Sequence, residues 1–368
     1  MTLIAERPHH RLEPRGEGAP LPAEPLDAAS AVPLLAWREA DAAEPRSIGQ
    51  WAIGGALTLL SLGLYGCVVR TRLRQRIWGA MRLSGMPLRY TGTVRELLTK
   101  AVAVLGVVLA LALAVWIAKL LAVPRPRLAP SPWRLLVTLP LIYLLGLSAW
   151  RQRAFLVART AFGAVTGRPA GTPHGHAIRH FLTALAVAPT LGWIIPWRQV
   201  LLQRHLVSGM AIGPHRFGFD GSARTLLGRF AIAWAGVICV YLAAVIALGL
   251  TMGPKIVAAK AAGTWPDLTS RELAIAAAIA ISAAATIGLV CAWYRIGAWR
   301  RLAAMTRLDG VPLRLDVSTG AYLRLVATNT LIRVGSLMTL APYADLRHAR
   351  LVLSGLRATP PSETPGRA

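Results

Sequence analysis

The sequence predicts an all-α polytopic membrane protein that is internally duplicated, with five to seven transmembrane helices and short cytoplasmic strand and turn elements. Composition is the first reason: of 368 residues, 55% are hydrophobic and 15% charged, whereas about a quarter of the residues in soluble domains are charged. The mean hydropathy is +0.50. Several apolar runs also approach or exceed the roughly 18 residues that span a bilayer. Finally, an arginine-rich stretch recurs directly after apolar segments.

The apolar segments form two hairpins and three isolated segments. Tryptophans lie at or near many of their ends, where the headgroup region favours an indole ring. The hairpins are 101–123 with 133–150 and 230–252 with 273–294, and the isolated segments are 51–69, 181–197 and 325–343.

Lysine and arginine predict the orientation, because loops rich in these residues stay in the cytoplasm. Stretches 70–100, 151–180, 198–229 and 295–324 are basic, whereas the hairpin turns 124–132 and 253–272 carry few cations. Basic stretches on both sides of 181–197 favour five spanning helices, with 181–197 and 325–343 re-entrant or interfacial. This arrangement puts the N-terminal tail in the periplasm. A seven-span arrangement is the alternative.

The chain divides into a tail, two repeats and a partial third repeat. Eight of the sixteen Asp and Glu residues lie in the first 44 positions, although the net charge is +25. This acidic Pro/Ala-rich tail is predicted to be disordered and shows no signal-peptide pattern. The predicted boundaries are 1–47 for the tail, 48–180 and 181–324 for the repeats, 325–357 for the partial third repeat, and 358–368 for a disordered C-terminal tail.

The arginine stretches are candidate sites for anionic lipid or another anionic ligand, since a guanidinium suits phosphate geometry. Each cation near the surface of an anionic membrane contributes about 1 kcal/mol. The alternative is that these arginines only fix topology. We expect anionic headgroups as partners and no nucleic acid, while protein partners and oligomeric state stay open. The candidates are Arg70, Arg72, Arg74, Arg76, Arg198, Arg204, Arg300, Arg301 and Arg307.

Short alternating runs follow the arginine stretches at 88–90, 217–219 and 313–317. Apolar residues at i and i+2 are typical of strands, so these runs are predicted to form a small cytoplasmic sheet, with an extended surface loop as the alternative. Thr93 and Glu96 have the spacing of a capping box, which predicts a helix start. Asp220, beside Gly221, is predicted to serve a turn rather than catalysis.

Polar residues inside the last apolar segment give a second group of candidates. Asn329 and Arg333 are functional candidates if they lie at membrane depth, whereas an interfacial Arg333 would only extend its head to water. His174, His176 and His180 have metal-like spacing, but no Cys or carboxylate in that stretch completes a ligand set. We therefore expect no metal site and no cofactor. Phosphate-binding, serine-hydrolase and zincin motifs are absent from the sequence, which favours a protein that is not an enzyme.

The runs LSLGLY, TLGWIIPW and TLAPY, each followed by Arg, then Gly, a turn and Leu-Leu, resemble the YjgN-like family of bacterial inner-membrane proteins. That family is defined by a domain of unknown function. The resemblance covers about 48–357, although the first copy lacks the Pro-Trp pair and the third lacks Trp. It implies a multi-pass location in the bacterial inner membrane and brings no catalytic residues.

The leading functional expectation is a transporter or channel-like protein for an unidentified solute, which predicts a polar cavity between the repeats near Arg333 or Asn329. The alternative is a scaffold that binds anionic lipid or a partner, with an apolar interior and a polar cytoplasmic face. A membrane enzyme is the third reading. It predicts titratable groups that converge at the membrane surface, with Asp220, Asp316 or the histidines among them.

Overall fold

The protein is described by a computed structural model that covers residues 34–38, 48–120 and 132–358. It is predominantly helical, with minor strands. The helices are α1 (Ile48–Leu60), α2 (Gly66–Ala80), α3 (Val94–Leu120), α4 (Pro132–Ala158), α5 (Pro173–Leu185), α6 (Ile195–Val207), α7 (Arg224–Ala261), α8 (Ser270–Met305), α9 (Thr319–Gly335) and α10 (Ala341–Ser354). The strands are β1 (Leu35–Trp37), β2 (Met81–Leu83), β3 (Met86–Pro87), β4 (Arg89–Tyr90), β5 (Thr160–Phe162), β6 (Val165–Thr166), β7 (Ala211–Ile212), β8 (His215–Phe219), β9 (Thr306–Leu308), β10 (Val311–Pro312), β11 (Arg314–Leu315) and β12 (Leu356–Arg357).

Long helices occupy the positions of the two predicted transmembrane hairpins. Within the described residues, Val94–Ile117 of α3, Arg224–Ala261 and Ser270–Met305 are long and apolar enough to cross a membrane. At most 6% of each apolar window is buried inside the protein, as expected for surface that lipid covers. The fourth long helix, α4, contains the predicted segment 133–150. These helices indicate association with a membrane.

The three isolated apolar segments are short helical hairpins: α1–α2, α5–α6 and α9–α10. Each turn has a leucine in the left-handed region, with φ of 52° at Leu62, 49° at Leu191 and 48° at Leu337. The amide of the next residue donates to a carbonyl five residues back, as in Gly63 N to Thr58 O at 2.7 Å and Met338 N to Arg333 O at 2.7 Å. This bond closes the end of the first helix. The sequence predicts one spanning helix at 51–69, whereas the structure divides this segment between α1 and α2.

Within the described residues, four β-hairpins lie where helices end, and their strands pair in a cycle. After each hairpin turn, the returning strand pairs with the first strand of its own hairpin, and the chain that follows pairs with the first strand of the next hairpin. In this way β4 pairs with β5, and β8 pairs with β9. Two isolated bridges, Arg168 with Ala211 and Leu35 with Ala358, complete the circuit together with β11–β12 and β1–β2. The strands predicted at 88–90, 217–219 and 313–317 thus contribute to one β layer.

Alternation along the strands gives this layer an apolar centre. One face of the strands supplies a single buried cluster, whereas the opposite face carries exposed arginines, as expected for a period of two. The cluster comprises Leu35, Leu83, Leu88, Phe162, Ile212, Leu308, Leu313 and Ala358. The exposed arginines of the opposite face are Arg89, Arg168, Arg307, Arg314 and Arg357.

The structure differs from the predicted tails at two points. Leu35–Trp37 lies within the predicted disordered tail 1–47 but forms β1, because Leu35 completes the apolar cluster and pairs with Leu83. Ala358, the first residue of the predicted C-terminal tail, is fully buried in the same cluster. Residues 1–33, 39–47 and 359–368 of these predictions lie outside the described residues.

Candidate functional site

A cavity of about 350 Å³ lies between α2 and α10. The two helices pack along an apolar seam that includes Leu73, Ile77 and Leu346. Residues three and four positions apart share one face of a helix, which is why Arg70 and Arg74 of α2 reach the cavity together. From α10 it is lined by Asp345, His348 and Ala349. The first and third short hairpins, far apart in sequence, thus both line one partly open cavity.

The charge around the cavity is net positive. Arg70 and Arg74 line it, and Asp345 forms an ion pair with Arg333 of α9. Burial lowers the pKa of His348, and the nearby Arg333 lowers it further, while Asp345 opposes the shift. The imidazole is therefore neutral at pH 7. Three guanidinium groups against one carboxylate make the space suited to an anion.

Asn329 and Arg333, the two predicted intramembrane candidates, both bond to α10, which lines one side of this cavity. The Asn329 side chain is buried and donates to the carbonyl of Ala344 at 2.9 Å. Its Oδ1 accepts from Arg347 at 2.9 Å, and Arg347 also donates to Thr328 at 3.3 Å. Asn329 therefore joins α9 to α10, whereas Arg333 orients the carboxylate that lines the cavity.

The other arginines of α2 diverge from Arg70 and Arg74. Arg72 is exposed and lines a second, smaller pocket that includes Trp51. Arg76 lies over the Trp51 ring, 5.7 Å from its centroid. Arg74 also donates to the Tyr90 hydroxyl at 3.2 Å. The predicted stretch is therefore divided between different surroundings rather than presented as one face.

The remaining arginine candidates mostly hold the chain together near the β layer. Arg204 donates to the carbonyl of Gly221 at 2.7 Å. Arg300 donates to the carbonyl of Val317 and, at 3.2 Å, to Thr319. Arg307 pairs with Asp220 at 3.5 Å. Arg198 and Arg301 are half-buried, and Arg198 lies close to the histidines of α5.

The three histidines of the predicted cluster all lie in α5 but have different surroundings. His174 contacts the Tyr143 hydroxyl at 2.6 Å, whereas His176 is buried and stacks on His205 with 5.7 Å between ring centroids. Burial lowers the pKa of His176 to about 4, and His205, His180 and nearby arginines lower it in the same direction. No group of three potential metal ligands occurs in the described ranges.

Sequence reasoning missed Asp345, Arg347 and His348. The predicted apolar segment ends at 343, so the polar residues that follow received no role. The signal that could have found them is the i, i+3 spacing of Asp345 and His348, which places a carboxylate and an imidazole on one helix face.

A known protein family matches most of the chain. Residues 47–364 match a family described as bacterial proteins of unknown function (DUF898), which is the YjgN-like family that the sequence resembles. No curated protein and no solved structure shows a match. Because the match covers most of the chain, the protein belongs to the DUF898 family of bacterial proteins of unknown function.

Proposed function

We propose that the protein is a multi-pass inner-membrane transporter that takes a small phosphate- or carboxylate-bearing solute into the cavity between α2 and α10. The observation that supports this proposal is the pairing of Arg70 and Arg74 with the Arg333–Asp345 ion pair around that cavity. A polar cavity near Arg333 is what the transport reading predicts, and its volume suits a small ligand.

The proposal includes a topology with four spanning helices: α3, α4, α7 and α8. The three short hairpins enter and leave the membrane on the same side. The support comes from β1 and β2, which flank α1–α2 and pair with each other, so both ends of that hairpin meet in one layer. A 13-residue helix such as α1 is about 20 Å long, too short for a hydrocarbon core of about 30 Å.

Cysteine labelling tests this topology. In a variant without Cys67, Cys239 and Cys291, Arg38→Cys in the β layer should react with a membrane-impermeant maleimide only after the cells are opened. Thr264→Cys, between α7 and α8, should react in intact cells. Labelling of Arg38→Cys in intact cells would contradict the four-span topology. It would instead support the periplasmic N-terminus that the five-span arrangement predicts.

Ligand binding tests the cavity. Inorganic phosphate, glycerol 3-phosphate or citrate should raise the melting temperature of the purified full chain, relative to chloride at equal ionic strength, because a ligand that binds only the folded state stabilises it. Arg70→Gln should weaken the affinity for the anion at least tenfold. Arg72→Gln is the matched control, since Arg72 is an exposed arginine on the same helix outside the cavity.

Three results would count against transport. The first is no stabilisation by any of the three anions, and the second is equal affinity in the wild type and Arg70→Gln. The third is that the bound anion is not taken up into proteoliposomes. In that case the protein would bind the anion but would not transport it.

The exposed arginines of the β layer favour a second candidate, a scaffold for an anionic surface. Arg89, Arg168 and Arg314 lie on the strand face opposite the apolar cluster. Native mass spectrometry of the wild type and a variant with these three residues changed to Gln should then show less retained cardiolipin in the variant. Equal retention would reject this candidate.

A further inference from the structure

Three β-hairpins bring together a serine, a histidine and an aspartate. Ser84 lies in the turn between β2 and β3, His215 begins β8, and Asp309 lies in the turn between β9 and β10. The Ser84 hydroxyl is 3.2 Å from Nε2 of His215. Nδ1 of the same imidazole is 2.5 Å from Oδ2 of Asp309. The order nucleophile, base, orienting carboxylate is the order that serine hydrolases use.

The surrounding hydrogen bonds assign the protons. Asp309 uses its other oxygen, Oδ1, to accept the backbone N–H of Arg216 at 2.7 Å. Oδ2 then accepts Nδ1–H of His215. This leaves Nε2 as the acceptor for the Ser84 hydroxyl, which is the tautomer that can remove a proton from a nucleophile.

The three side chains are held by rigid neighbours. The Phe162 ring, part of the central apolar cluster, contacts His215 edge to face with 5.3 Å between centroids. The amide of Ser84 donates to Leu34 O at 2.9 Å, and that of Asp309 donates to Arg216 O at 2.9 Å. Ser84 and Asp309 have φ of 47° and 50°, so both occupy tight turns of the kind that project a side chain. A serine on a strained turn is also how hydrolases expose their nucleophile.

Access and charge complete the site. Ser84 is exposed, while only 13% of the His215 side chain is exposed. In the described part of the chain, the N–H of Gly85, the residue after Ser84, has no backbone acceptor. The Arg82 guanidinium donates to the carbonyl of Gly85 at 3.2 Å, and the exposed Arg216 follows His215. Positive charge therefore borders the serine.

We propose that Ser84 and His215 are catalytic residues of a serine hydrolase site, with Asp309 as the positioning residue, and that the substrate is a carboxylic ester with an anionic group. Ser84 Oγ adds to the ester carbonyl carbon while its proton passes to Nε2 of His215. The imidazolium gives that proton to the departing alcohol oxygen as the C–O bond breaks. Water then attacks the acyl-serine, its proton returns through Nε2 to Ser84 Oγ, and a carboxylic acid leaves. This site is independent of the transport proposal, because it uses none of the cavity residues.

A fluorophosphonate probe tests the serine without knowledge of the substrate, since Oγ displaces fluoride from phosphorus. The purified full chain should form a covalent adduct, and peptide mass spectrometry should place it on Ser84. Ser84→Ala should abolish the adduct, whereas Ser208→Ala, which changes another exposed serine, should leave it unchanged. His215→Gln should slow labelling by about 10²–10⁴-fold, the usual contribution of a general base.

Two further measurements separate catalysis from a structural role of the three residues. Asp309→Asn should slow labelling, and Asp309→Glu should restore it in part, with melting temperatures recorded for each variant. The wild type should hydrolyse 4-nitrophenyl hemisuccinate faster than 4-nitrophenyl butyrate. Arg216→Gln should reduce the difference between these two rates. The proposal is overturned if the folded wild type forms no adduct, if Ser84→Ala is still labelled, or if His215→Gln changes only the melting temperature.

Discussion

The long hairpin α7–α8 and the short hairpins α1–α2 and α9–α10 bury their side chains to different extents. In α7 and α8 most apolar side chains are exposed, and their apolar windows are at most 6% buried. The short hairpins pack on each other around Trp51 and Leu346 and line a partly open cavity that contains charged groups. Lipid is as apolar as leucine, so a long apolar helix gains little from burial in protein. The charged side chains of the short hairpins also pair with each other, as Arg333 does with Asp345. Specific packing, and with it the candidate cavity, is therefore concentrated in the short hairpins.

The largest expected effect comes from shortening a buried side chain in the short hairpins. Leu346→Ala in α10 removes a side chain that is 4% exposed and should cost about 3 kcal/mol of unfolding free energy, as in other buried leucines. Leu250→Ala in α7, where the side chain is 77% exposed, should change it by less than about 0.5 kcal/mol. Denaturation of both variants in the same detergent measures the difference. Equal costs would remove the distinction between the two kinds of hairpin.

A close backbone approach gives the second prediction. A Cβ on Gly55 of α1 would lie 1.6 Å from the carbonyl oxygen of Thr339, so Gly55→Ala must push α1 away from the α9–α10 turn. We expect a loss of about 1–3 kcal/mol, the range for overpacking. In α7, a Cβ on Gly249 would meet nothing within 4 Å, and Gly249→Ala should be neutral or stabilising because alanine favours a helix. Thermal unfolding of the two variants checks this, and a stable Gly55→Ala protein would show that the hairpins are not in contact.

The last prediction concerns pH in the remaining short hairpin, α5–α6. Because the pKa of His176 is lowered to about 4 in the folded protein, the unfolded chain binds the proton more readily. Stability should therefore be complete above about pH 6.5 and decrease as the pH falls toward 4. His176→Phe should flatten this part of the stability profile, whereas His174→Gln, at an exposed position, should retain it. An unchanged profile in His176→Phe would place the titrating group elsewhere.

Local patterns predicted the parts of the structure that depend on near neighbours. The alternation at 88–90 and 313–317 predicted strands, and Thr93 with Glu96 does form the reciprocal cap, at 3.3 Å for each bond. The turn inside 51–69 escaped prediction because Leu62 adopts a left-handed φ that leucine disfavours by about 1–2 kcal/mol. Nothing in the local sequence marks such a residue as the end of a helix.

The sequence by itself determined that the protein is rich in apolar segments long enough for a membrane, that arginine follows them, and that short strands lie between helices. These properties follow from composition and from periods of a few residues. Only the tertiary structure decided that the strands close into a cycle, that Arg70 faces Asp345, and that Ser84 meets His215 and Asp309. Those residues come from different hairpins far apart along the chain, and their meeting depends on which hairpins become neighbours. That choice is made by the packing of the whole β layer and is encoded in no single segment.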